Sequence, residues 1–268
     1  MKITGIGINA DAGYLDGEIK KLRAELEYFQ ELGFSHVEIA PHGVGAIYNG
    51  QLNPARVDEV RSLLEEYLLQ CTVHGPNPMN LMNRDDLITE RNLFLASIDF
   101  TARLGAAVMV YHAGRFLPEE RFLLPQSASL TVRNKSAMWN LERALLKQMG
   151  DVAGERGVTI AVENARPYLD ASNYSYGEKL ESLAIMVSEV NHPQVGIALD
   201  LGHAYLAACH YREDLLSAVE RVSSMVRHVH LHDNFGKPCA SYEKRQYELA
   251  ATGRGDLHLP PGWGRVPV

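Results

Sequence analysis

The residues of this chain that can do chemistry come at intervals. His74, His112, Glu163, Asp200 with His203, and His230 each close an apolar, β-branched run, and Asp256 and His258 follow in a late glycine- and proline-rich stretch. Imidazole and carboxylate without thiolate is a donor set for a divalent ion such as Zn²⁺ or Mn²⁺. One polar residue at the end of a strand is ordinary, since Asp and His often cap or bridge loops. Five successive runs ending in such a residue, a type that is rarely fully buried, point to ligands gathered at one place. The densest stretch is Val195-Gly196-Ile197-Ala198-Leu199-Asp200-Leu201-Gly202-His203. It lacks clean alternation, so both faces of its strand are expected to be buried. Gly202 is expected to let the chain turn away and return His203 to the mouth.

The elements that must position these residues alternate in type. Strands are expected at Ile3–Ile8, His36–Ala40, Cys71–His74, Ala107–His112, Val158–Glu163, Val195–Asp200 and Met225–Asp233. Amphipathic helices are expected at Glu18–Leu32, Pro54–Gln70, Thr89–Leu104, Thr131–Arg156, Tyr176–Val190 and Arg212–Val222, the fourth preceded by a loop rich in Leu, Pro and Ser. Gly33, Gly105 and Gly157 supply helix stops. Strict alternation of this kind argues for a parallel sheet covered by helices. With 268 residues and no linker or low-complexity stretch, the expectation is an α/β protein with a single domain over 1–268, a TIM (β/α)8-type barrel, whose usual size is about 250 residues. In such a barrel every strand delivers its C-terminal end to one face. An open doubly wound sheet is the competing architecture, but Gly5-Ile6-Gly7-Ile8-Asn9-Ala10 lacks the third glycine of a dinucleotide turn and opens no helix. Only seven strands are read, so the eighth β/α unit is expected to be missing from this chain.

The net charge of −7 gives no support to a broad basic surface for nucleic acid. Three scattered cysteines, with no Cys-x-x-Cys pair, read as reduced thiols. No basic region followed by an apolar segment opens the chain, and no apolar run approaches the ~20 residues of a membrane span. A cytoplasmic protein with no membrane partner, able to pair as a homodimer, is the expectation.

The motifs Val73-His74-Gly75-Pro76, Tyr111-His112-Ala113-Gly114, Val162-Glu163-Asn164, Leu199-Asp200-Leu201-Gly202-His203, His230-Leu231-His232-Asp233 and Asp256-Leu257-His258-Leu259-Pro260-Pro261-Gly262-Trp263-Gly264 resemble, in order, those of the xylose isomerase-like TIM barrels. That superfamily holds sugar and sugar phosphate isomerases and epimerases and the endonuclease IV group of apurinic-site nucleases. The epimerase-like pattern implies one metal on Glu163, Asp200 and His230, with a second glutamate from the eighth strand, and proton transfer beside a carbonyl with Glu163 as a catalytic group. The nuclease-like pattern implies three zinc ions on His74, His112, Glu163, Asp200, His203, His230, Asp256 and His258, plus the same glutamate from the eighth strand. The loop Gly75-Pro76-Asn77-Pro78-Met79-Asn80-Leu81 looks more like the sugar-active branch. No basic, aromatic-interleaved segment stands out to grip a DNA backbone. The small-molecule sugar or sugar phosphate reading is therefore preferred, with nucleic acid the alternative partner.

Around this set, Glu38, Asn9 and Asn164 at strand ends are candidates for contact with substrate hydroxyls. Trp263 is a candidate to stack on a sugar face, and Arg166 and Arg115 to hold a phosphate. His232, two residues past His230, is expected on the opposite face of its strand. Asp233 is expected to orient a histidine or cap the loop.

Overall fold

The computed structural model describes residues 3–122, 131–243 and 246–267. Seven parallel strands form one sheet in sequence order: β1 (Gly7–Ala10), β2 (His36–Ile39), β3 (Gln70–His74), β4 (Val108–His112), β5 (Thr159–Glu163), β6 (Val195–Asp200) and β7 (Val226–His230). The longer helices between them are α1 (Ile19–Glu31), α2 (Pro54–Leu64), α3 (Leu87–Arg103), α4 (Val132–Glu155), α5 (Leu180–Val190), α6 (Leu201–Tyr211) and α7 (Leu215–Val222). This is the TIM-barrel arrangement. Among the described residues β1 and β7 are its edges, and they are not joined to one another.

Local sequence explains the element ends. Asn53, Asp86, Thr131 and Asp214 each accept a backbone N–H of the following first turn, which satisfies a donor that the helix itself leaves orphaned. Apolar residues at helical spacing, such as Leu22, Leu26 and Phe29 on α1, face the sheet, and each such side chain contributes roughly 1.5–3 kcal/mol by leaving water. Most of the core lies in this layer between sheet and helices.

A second, small core fills the barrel itself: Val110, Ala161 and Ala198, from β4, β5 and β6. Two residues further along these strands stand His112, Glu163 and Asp200. Because side chains alternate with period two, what stands two residues beyond an inward residue also points inward. The pleat thus places the ligand candidates directly above the apolar floor, at the C-terminal mouth.

Several expected boundaries move. The first strand begins at Gly7 rather than Ile3, and Ile3 and Ile6 are exposed. The second helix stops at Leu64 rather than Gln70. Leu68 there points outward, while its backbone N–H is held by the Gln30 side chain at 2.7 Å. The segment from Tyr176 opens as a 3-10 turn, Tyr176–Glu178, before α5. A helix absent from the expectation, α6, begins at Leu201 immediately after β6, with Asp200 as its N-cap. The last strand ends at His230 rather than Asp233, where Asp233 pairs instead with Leu259. The Leu-, Pro- and Ser-rich loop before α4 includes residues 123–130, which lie outside the described residues. The three cysteines are free, as expected.

Candidate metal centre

Glu163 is the hub of the mouth. It ends β5, is almost fully buried, and faces three imidazoles. Its Oε1 lies 2.7 Å from His230 Nδ1, and its Oε2 lies 2.9 Å from His112 Nε2 and 3.3 Å from His74 Nε2. The rings of His74 and His112 meet edge to face with centroids 4.9 Å apart, and His74 and His230 are stacked. Burial pushes the Glu163 carboxyl up, but His230 and His112 overcome this and hold it well below the usual range, so it is ionised. Burial pulls His112 down against the attraction of Glu163, which favours the neutral ring that a metal requires. His74 Nδ1 lies 2.8 Å from the Gly75 carbonyl, an acceptor only, so that nitrogen carries a proton and Nε2 is the one turned to the cluster, where burial lowers the ring's pKa but Glu163 raises it above the usual value.

Asp200 joins this hub to a second cluster. Its Oδ1 accepts the His203 backbone N–H at 2.6 Å, and its Oδ2 lies 3.0 Å from His232 Nε2 and 3.9 Å from His230 Nδ1. His203 Nδ1 is 2.9 Å from the Asn164 carbonyl, and its Nε2 is 3.1 Å from Asp256 Oδ2. Burial lowers the His203 pKa, but Asp200 and Asp256 raise it further, to about 9. His258 Nε2 lies 2.9 Å from Asp256 Oδ2 and stacks on His232, with centroids 4.0 Å apart. One ligating atom from each of His203, His232, Asp256 and His258 falls within 4.8 Å of the others, as do those of Glu163, Asp200 and His203, and those of His74, Glu163 and His230.

The donor set fits a divalent cation, and one detail supports the fit. Glu163 Oε2 is buried and close to two ring nitrogens, yet it makes no hydrogen bond. Atoms that converge without the angles of hydrogen bonds are arranged as ligands around a common point rather than as mutual partners.

The eight predicted ligands therefore lie together at one mouth. His232 corrects the sequence reading: the chain leaves the strand at His230, so the pleat no longer governs it and its ring turns inward to Asp200. Gly202 has a role other than the expected turn. It lies in the first turn of α6, and a Cβ there would stand 2.1 Å from the His232 ring, so only glycine admits that ring. Asn164 is wholly engaged in a clamp, its side chain exchanging hydrogen bonds of 2.9 and 2.8 Å with the Asp200 backbone. Arg166 pairs with Asp256 at 3.1 Å over the Tyr168 ring. Arg115 is buried and donates to the Pro78 and Met79 carbonyls, so it braces the loop after β3 rather than facing the mouth. Asn9 and Trp263 are exposed, and Glu38 is buried beside His230. Asp233 caps the last loop, accepting the N–H groups of Asn234, Gly262, Gly264 and Val266.

Residues 26–268 match the model of the family described as xylose isomerase-like TIM barrel. The chain belongs to this family. Among solved structures, a D-tagatose 3-epimerase-like protein superposes with a TM-score of 0.70 at 20% identity, covering 98% of this chain and 83% of its own. The 3-keto-D-glucoside 4-epimerase of E. coli gives 0.64 at 18%, covering 85% and 79%. A xylose isomerase-like TIM barrel protein from Mycobacterium smegmatis, in complex with magnesium, gives 0.65 at 16%, covering 86% and 75%.

Two features of this member of the family escape a reading by strand ends. His228 precedes His230 by two residues and faces the same way, a period-two signal visible in the sequence. Glu142 stands on the buried stripe of α4 with Leu145, Leu146 and Met149. It accepts Gly114 N–H at 3.0 Å and the Tyr176 hydroxyl at 2.7 Å, with the Tyr111 hydroxyl at 3.5 Å. Leu81 N–H in turn donates to Tyr111. The loops after β3, β4 and β5 are thus tied to one carboxyl beneath the mouth.

Proposed function

We propose that this protein is a divalent-metal-dependent isomerase or epimerase of a sugar or sugar phosphate, moving a proton beside a carbonyl. The observation that carries the reading is the convergence of His74, His112, Glu163, Asp200 and His230 on the C-terminal mouth, around a buried Glu163 oxygen without a hydrogen bond. The epimerase names of two structural neighbours and the magnesium of a third agree with it. Glu163, Asp200 and His230 would hold the ion, with His74 and His112 beside them. A bound Zn²⁺, Mn²⁺ or similar ion supplies polarisation of a substrate carbonyl and steadies the negative charge of an enediolate. Glu163, ionised and walled by imidazoles, is the group that takes the proton from the neighbouring carbon. The exposed Asn9 and Trp263 bind hydroxyls and a sugar face at the rim, and Arg166 meets a phosphate where one is present. Glu38, across the His230 ring from Glu163, lies deeper.

The test is a panel of free and phosphorylated ketoses in D₂O with protein loaded with Mn²⁺, Mg²⁺ or Zn²⁺. Expected is metal-dependent interconversion with deuterium entering beside the carbonyl, lost in Glu163→Gln. No exchange with any ketose by the loaded protein refutes the reading. The second cluster, on His203, His232, Asp256 and His258, favours one alternative: a phosphodiesterase of the endonuclease IV type with three zinc ions. About three zinc ions per chain and chelator-sensitive cleavage of an abasic duplex would replace the isomerase reading with that one.

A further inference from the structure

The histidines of the mouth are not held alike. His74 and His203 each direct Nδ1 at a backbone carbonyl and Nε2 at the cluster. His230 is reversed: Nδ1 faces Glu163 and Asp200, and Nε2 faces away. Behind it stands Glu38, with Oε1 at 3.1 Å and Oε2 at 3.3 Å from Nε2. Glu38 reaches this point from β2, where Val37 and Ile39 take the helix-facing side and the pleat turns Glu38 into the barrel. Its Oε2 lies 3.1 Å from His228 Nε2 and accepts the Thr72 hydroxyl at 3.3 Å. The rings of His228 and His230 stand perpendicular with centroids 5.0 Å apart, on one face of β7. Beneath β4, β5 and β6 the barrel interior is apolar, with Val110, Ala161 and Ala198. His228, paired in register with Ala198, makes it polar beneath β7.

We propose that Glu38, gripped by His228, is a positioning residue that keeps the proton of His230 on Nε2 and so presents Nδ1 to the divalent cation. A carboxylate only accepts, so both ring nitrogens of His230 carry hydrogen while no cation is bound; a cation held by Glu163 and Asp200 would displace the Nδ1 proton, and Glu38 retains the one on Nε2. A carboxylate behind a metal-bound imidazole fixes its tautomer and ring orientation and raises its strength as a ligand. His228 and Thr72 supply donors to the same carboxylate and thus hold it in place. Glu38 acts through His230 and not on the substrate. This rests on the metal site of the proposed function, but not on the identity of the reaction.

The variant is Glu38→Gln, which keeps the volume but turns one oxygen into a donor that must face His230, His228 or Thr72. Zn²⁺ affinity is measured by competition with a chromophoric chelator, and the ligating nitrogen of His230 by ¹⁵N NMR of the Zn²⁺-loaded protein. The wild type is expected to show His230 bound through Nδ1 with the proton on Nε2. Glu38→Gln is expected to lose roughly 10–100-fold in affinity, the usual cost of removing such a partner, with its far-UV spectrum and melting point close to wild type. His228→Leu should lose affinity in the same direction, and His228→Gln, which retains a donor, should recover most of it. Wild-type affinity in Glu38→Gln, or His230 bound through Nε2 in the wild type, overturns the proposal, as does a wild type that takes up no Zn²⁺. If the loaded protein acts on no ketose, the proposed reaction falls, while the affinity and NMR results still decide the role of Glu38.

Discussion

Replacing Glu142 by glutamine tests the carboxyl beneath the mouth. Burial raises the Glu142 pKa from 4.5 to about 7, against the hydrogen bonds from Tyr176, Gly114 and Tyr111. A group whose folded pKa lies above its unfolded one favours the folded state at low pH. That contribution is complete below pH 4.5 and is lost as the pH rises through 7. The interval from 4.5 to about 7, at about 1.4 kcal/mol per pH unit, amounts to about 3 kcal/mol. Glu142→Gln removes the titration whatever fixed cost the amide brings. The difference in unfolding free energy between variant and wild type should therefore change with pH, the variant gaining on wild type by about 3 kcal/mol from acid to mildly alkaline pH. Urea unfolding measured at intervals from pH 5 to 8.5, with chelator present to remove linkage to metal, gives the curve, and most of the change should fall between pH 5 and 7. Parallel stability curves, with a difference constant across this range, would refute the claim that Glu142 is buried with a raised pKa.

Two further outcomes follow from close packing at the mouth. Gly202→Ala places a methyl 2.1 Å from the His232 ring, which must leave Asp200; a loss of about 1–3 kcal/mol in thermal stability, with the His232 NMR signals displaced, is expected. Asp233→Ala strips the acceptor from four backbone N–H groups of the last loop, and should cost about 3 kcal/mol or more in denaturant unfolding and open residues 256–266 to protease.

The sequence alone determined the alternation of strands and helices and the order of the strand-end ligands. Strand ends are set by short-range pattern: an apolar run, a polar terminus, and then a turn or cap. His74, His112, Glu163 and Asp200 each end a strand as expected, because period two and parallel pairing leave few alternatives, whereas the last strand stops at His230, short of the expected Asp233. Chain direction after a strand is not short-range. Gly202 signals a turn by its type, yet it lies in a helix, and the His232 ring, thirty residues on in sequence, takes the space that a side chain there would need. Extending the pleat past His230, where β7 stops, misplaces His232 on the outer face, whereas its ring meets Asp200. Which nitrogen each histidine offers, and that Glu38 on β2 meets His228 and His230 on β7, depend on how the sheet curves around the barrel interior. Glu142 looks like any helical glutamate until its stripe is seen to be buried against Gly114 and Tyr176. Local pattern specifies what stands at the end of each strand. Only the tertiary contacts, made between residues far apart in the chain, decide which polar atoms are left to one another and which are left for a ligand.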